Sequence, residues 1–141
     1  MSHLISEGDR GFLRAFEAGD VRPADFSHRA HIRLAYIYLS EHRVDAAHQL
    51  MRQALLSFLK HHGIEAAKYH ETMTRAWIMA VRHFMEKTAA SESADAFIEQ
   101  NPRMLDAKIM MTHYSASVLF SIEARAQFVE PNLDPIPKYT K

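Results

Sequence analysis

The chain contains no cysteine, and that single absence removes disulfides, thiolate zinc sites, iron–sulfur clusters and cysteine nucleophiles together. Any metal would have to be held by His, Asp or Glu. Glycine and proline are scarce, four and five in 141 residues, and clean apolar/polar alternation over a strand's length is missing as well. There is no excess of charge of either sign, with seventeen basic residues against seventeen acidic ones, so no net field recruits nucleic acid or an anionic membrane surface. No apolar run approaches the roughly 20 residues that span a bilayer, and MSHLISEGDR at the N-terminus carries no apolar core or cleavage signal. The expectation is a soluble cytoplasmic protein with neither nucleic acid nor membrane as partner.

What is present is helical periodicity. Hydrophobic residues make up 48% of the chain, enough for one globular domain with one core. The 3.6-residue spacing of those residues predicts an all-α fold, a single-domain antiparallel bundle of about five to six helices. The first is expected from about Gly8 to Ala18, stopped by Gly19, and the second from His28 to about His42 with Ser27 as its N-cap. A third runs from about Asp45 to His62, ended by Gly63, and a fourth from about Tyr69 to Lys87. A short helix near Ala94 to Gln100 and another from about Arg103 to His113 follow, and a proline-bearing extended tail occupies about 127–141.

Ten histidines are numerous for this length, and they are scattered rather than gathered in a tag. At about 100° per residue, His28 and His31 lie on the stripe that holds Ile32, Ala35, Tyr38 and Leu39, and His70 lies in line with Met73, Thr74, Trp77 and Val81. Glu71 falls toward the polar side, with Arg75 as its i+4 partner. Short links make consecutive helices antiparallel, which brings His28, His31 and His70 to one end of the bundle. A returning helix would carry His113 to the same end. His3, His42, His48 and His83 are expected at the surface or rim, His61 and His62 as solvated helix ends, and Met110 and Met111 in the core rather than on copper.

Converging neutral imidazoles suit a transition metal, so the first expectation is a metal centre with His28, His31, His70 and His113 as ligands. Iron, zinc, copper and manganese all fit a site without thiolates. Such a centre would activate oxygen or water on a small-molecule substrate, with Glu71 or Tyr69 as proton carrier and Tyr38, Thr74 and Trp77 lining the pocket one turn deeper. Two other readings stand beside it: a metal-free module that holds a small anion at the paired helix starts, and an interaction protein whose histidines fill the core and whose methionine-rich helices form a homodimer. HETMT at His70 to Thr74 begins like the zinc-protease helix, but Thr74 stands where the second histidine is required. No G-x-S-x-G, P-loop or dinucleotide glycine motif occurs.

Three segments, F-x-H-x-x-H-I-R-L-A (Phe26 to Ala35), Y-H-E-T-x-T-x-A-W (Tyr69 to Trp77) and A-R-x-x-F-V-x-P-N-L (Ala124 to Leu133), together resemble a family of small, uncharacterised bacterial proteins. The resemblance runs from about Ala24 onward and implies that the three segments belong together. It also implies that the closing segment covers the histidine end with Arg125 reaching inward, beside the simpler reading of Arg125 as a tail-anchoring salt bridge.

Overall fold

The computed structural model describes residues 2–139, and among these every regular element is helical. Five helices make the body: α1 (Glu7–Glu17), α2 (His28–Glu41), α3 (Val44–His61), α4 (Glu71–Lys87) and α5 (Ala94–Gln100). Two short ones, α6 (Ala116–Leu119) and α7 (Ile122–Ala126), pack beyond them, and the all-α expectation holds. The tail expected over about 127–141 contains neither helix nor strand as far as it is described, with bends at 127 and 132–134, and positions 140 and 141 lie outside the described residues.

The helices begin where the side chains can cap them. Ser6 and Asp9 close a reciprocal capping box at α1, and Ser27 accepts from the Ala30 N–H at 3.2 Å at the start of α2, as the sequence predicted. Gly19 and Gly63 follow α1 and α3 with φ of +80° and +67°, the left-handed conformation in which a side chain would be strained. Asp9 does more than cap. Its buried carboxylate also accepts from Ala94 N–H at 2.9 Å and from Arg33 Nε at 3.0 Å, so one anion ties α1 to α2 and to the first turn of α5.

At the centre lie α2 and α4. Every residue from Leu34 to Leu39 and from Ala76 to Val81 is buried, a pattern broader than one amphipathic stripe. The reason is placement: α2 touches α1, α3, α4 and α5, so it has neighbours on nearly every side. Phe16, Phe26 and Phe58 meet at ring separations of 4.8 to 5.2 Å and join α1 and the end of α3 to the segment before α2.

Two expected helices differ. The one drawn from Arg103 to His113 is a pair of 3-10 turns, Pro102–Leu105 and Ala107–Thr112, broken at Asp106. Asp106 is extended, and its carboxylate accepts from the Lys108 N–H at 3.0 Å, a local bond that competes with the α-helical ladder. The fourth helix begins at Glu71 rather than Tyr69, because His70 itself is the cap.

Candidate functional site

A cavity of about 340 Å³ opens between the start of α2, the end of α3 and the start of α4. His28, His31 and His70 all line it, as do Thr74 and Trp77; the antiparallel order brings these five together, although His70 is held there as the cap of α4 and not by helical period. Phe26, Leu55, Phe58, Leu59 and Met73 supply an apolar wall, and Lys68 stands exposed at the edge. Leu55 and Leu59 sit four residues apart on α3, a second apolar stripe beside the one that faces the core. That i, i+4 spacing was the sequence signal for the missing wall.

The three histidines do different things. His70 has an extended backbone, its Nδ1 accepts the Met73 N–H at 3.1 Å, and its Nε2–H donates to the Leu119 carbonyl at 2.7 Å. Both ring nitrogens are committed, and the two bonds fix one neutral tautomer. Burial, ahead of the Arg125 charge, pushes the pKa of this ring down. His28 donates Nε2–H to the Met104 carbonyl at 2.8 Å and meets Trp77 edge-on at 4.8 Å.

His31 lies nearly parallel to His28 with 6.5 Å between ring centroids, and its ring has no hydrogen-bond partner among the described residues. Burial and then the adjacent His28 push its pKa down to about 4, so at neutral pH it presents one N–H donor and one bare nitrogen. The remaining polar groups in the wall are mostly taken. Ser27 Oγ caps Ala30, Thr74 donates to the His70 carbonyl at 2.8 Å, and Tyr69 donates to Glu71 Oε1 at 2.6 Å.

Several expected site residues lie elsewhere. His113 lines a separate cavity and donates Nδ1–H to the Asp134 carbonyl at 2.7 Å, because the chain leading to it is two 3-10 turns and does not climb back as a helix. Tyr38 is buried against α1, where it donates to Glu17 at 2.8 Å; seven residues beyond His31 is about 10 Å along the helix, nearly two turns and too far to reach the cavity. Among the described residues Arg125 neither lines the cavity nor forms a salt bridge; its Nη1 donates to the Ala67 carbonyl at 3.4 Å. The closing segment does pack on the start of α4, through that bond, the Leu119 carbonyl and Thr72, which donates to the Gln127 carbonyl at 2.8 Å and accepts from Val129 N–H at 3.0 Å.

Glu71 does not line the cavity and is not paired with Arg75. Instead it stands behind Tyr69 and lies 3.4 Å from His48 Nε2 and 4.0 Å from Arg52. Arg75 turns the other way, to Asp45 at 2.9 Å and to His48 Nδ1 at 3.1 Å. His48, expected at the rim, is buried inside this network, and burial pushes its pKa down in spite of Glu71. Burial and then the Glu71 bond push the Tyr69 phenol up, which holds it protonated and makes it a poor proton carrier at neutral pH.

Among the described residues no three His, Asp or Glu side chains are grouped to hold a metal ion. His70 could ligate only by giving up both of its hydrogen bonds, which leaves His28 Nδ1 and His31 as the uncommitted imidazole nitrogens of the cavity. No helix among the described residues is long and apolar enough to cross a membrane. No family model, no curated protein and no solved structure matches this chain.

Proposed function

We propose that this protein binds a small organic anion in the cavity at the starts of α2 and α4, its apolar body against Trp77, Met73, Phe58, Leu55 and Leu59 and its carboxylate toward His31 and Lys68. The observation that carries this reading is His31, a neutral imidazole without a partner in a cavity whose hydroxyls and other rings are nearly all engaged. The ring nitrogens of His31 are not sealed from solvent, so a ligand that bonds one of them gains about 0.5–1.5 kcal/mol. Lys68 makes no ion pair among the described residues, and the two helix starts add positive potential at the same end. The cavity volume lies at the small end of the range typical of ligand sites, which suits a molecule with a single ring or a medium-length alkyl chain.

The metal reading has narrower support, since two imidazoles would need outside ligands to complete a tetrahedral shell. The experiment is calorimetry with benzoate and octanoate against their uncharged counterparts benzyl alcohol and octanol. The acids bind saturably to the native protein and more tightly than the alcohols, and His31→Leu weakens the acids by about tenfold or more. Equal binding of acids and alcohols, or an unaffected His31→Leu variant, overturns the assignment.

A further inference from the structure

A second cavity, of about 280 Å³, lies farther along α4, where Ala80, His83 and Phe84 face the turn holding Ile109, Met110, Thr112 and His113 and the tail at Ile136 and Pro137, with Arg103 at its edge. Its chemistry differs from the first. The polar side chains in its wall are a guanidinium, two imidazoles and a hydroxyl, with no carboxylate among them. The Arg103 guanidinium has neither ion pair nor hydrogen bond among the described residues, so its charge stands uncompensated. We infer that this cavity is a second anion site, in which Arg103, His83 and His113 receive a phosphate group.

The ring nitrogens point to the same ligand. His113 spends Nδ1–H on the Asp134 carbonyl at 2.7 Å, and His83 Nδ1 meets the Tyr139 hydroxyl at 2.9 Å. In each ring the bonded atom is Nδ1, which leaves Nε2 for a ligand. A phosphate offers acceptor oxygens to the Arg103 guanidinium fork and to the Nε2–H of His83, whose Nδ1 can accept the Tyr139 O–H, and a phosphate that carries one proton also offers an O–H to the bare Nε2 of His113. The charged neighbours acting on His83 are Lys87 and His113; they and burial, the largest cause, hold its pKa down. Asp134 contributes its backbone carbonyl, and its carboxylate is not in the cavity wall. A bound phosphate reverses the balance at His83 by favouring its protonated ring, so binding tightens as pH falls through the imidazole range. The floor of the cavity, buried Met110 and Ile136 with Phe84, is apolar. An organic phosphate with an apolar substituent therefore gains contacts that free phosphate does not.

The test uses the full chain, with inorganic phosphate and phenyl phosphate titrated by calorimetry at pH 6 and pH 8 and the histidine ring resonances followed by NMR. Both ligands are expected to bind saturably at pH 6 and at least severalfold more weakly at pH 8, while moving the His83 and His113 signals and leaving His31 in place. Tighter binding of phenyl phosphate identifies an organic phosphate as the ligand, and equal binding identifies free phosphate. Arg103→Gln, a change at an exposed position that is expected to keep the native circular-dichroism spectrum, is expected to weaken binding about tenfold. Absence of saturable binding, undiminished affinity in Arg103→Gln, or shifts confined to His28 and His31 would each overturn the proposal.

Discussion

His70 Nε2 reaches the carbonyl of Leu119 at 2.7 Å, a bond across 49 positions of sequence that ties the first turn of α4 to α6. The same ring caps its own helix through Met73 N–H. His70 is therefore a structural fastener inside the cavity wall, and its removal has a defined signature. His70→Ala should lower stability by about 2–4 kcal/mol, the sum of a lost cap and a lost buried hydrogen bond. His70→Asn, which can still cap, should recover part of it. Denaturant melts measure both, and EDTA should leave the native curve unmoved.

The low pKa of His31 gives a sign for acid stability. The folded ring titrates near 4 and the unfolded one near 6.5, so between those values the unfolded state holds the extra proton. The contribution of His31 is then complete above about pH 6.5 and is lost as pH falls toward 4, and it amounts to roughly 3 kcal/mol at most. His48, His70 and His83 are shifted in the same direction and steepen the slope. Replacing His31 with Gln should flatten the stability profile between pH 6.5 and 4 without abolishing its slope, as urea melts at half-unit steps would record.

Asp9 carries the opposite sign of linkage. Burial alone would raise its pKa, but the Ser6 and Ala94 N–H groups and Arg33 outweigh it and hold the carboxyl below the usual range. Its stabilisation is present above about pH 4 and is lost as pH falls through the lowered value. Asp9→Ala strands two backbone donors and a half-buried guanidinium. A loss of about 3–5 kcal/mol is expected in chemical denaturation, large enough to expose α5 to proteolysis first.

Tyr69 in the cavity wall, with Glu71 and His48 behind it, should behave as one unit. Tyr69→Phe and Glu71→Gln should each cost about 1–3 kcal/mol, and the double variant less than the sum, because the Tyr69–Glu71 bond is shared. A double-mutant cycle measures the coupling; strict additivity would show that the 2.6 Å contact does not hold in solution.

Much of this arrangement was legible from residue spacing. Ser27 before a periodic run located α2, the glycines located the ends of α1 and α3, and the antiparallel order brought His28, His31 and His70 to one cavity. What escaped the sequence was set by single side chains. His70 is an unusual cap, so its ring was placed by helical period when capping geometry actually holds it. Asp106 broke a helix that the apolar pattern alone would have continued. His48 is buried because Arg75 pairs with Asp45 and not with Glu71, a choice between two carboxylates that spacing along one helix cannot make.

The most direct test of the anion-binding account is an NMR titration of the His31 ring between pH 4 and 8, alone and with saturating octanoate. The account predicts a neutral ring down to about pH 5 in the free protein. With octanoate its resonances should move, and its midpoint should rise by about one unit or more, since a carboxylate beside the ring favours its charged form. A free-protein midpoint near 6.5, or a ring indifferent to octanoate while other resonances respond, would contradict it.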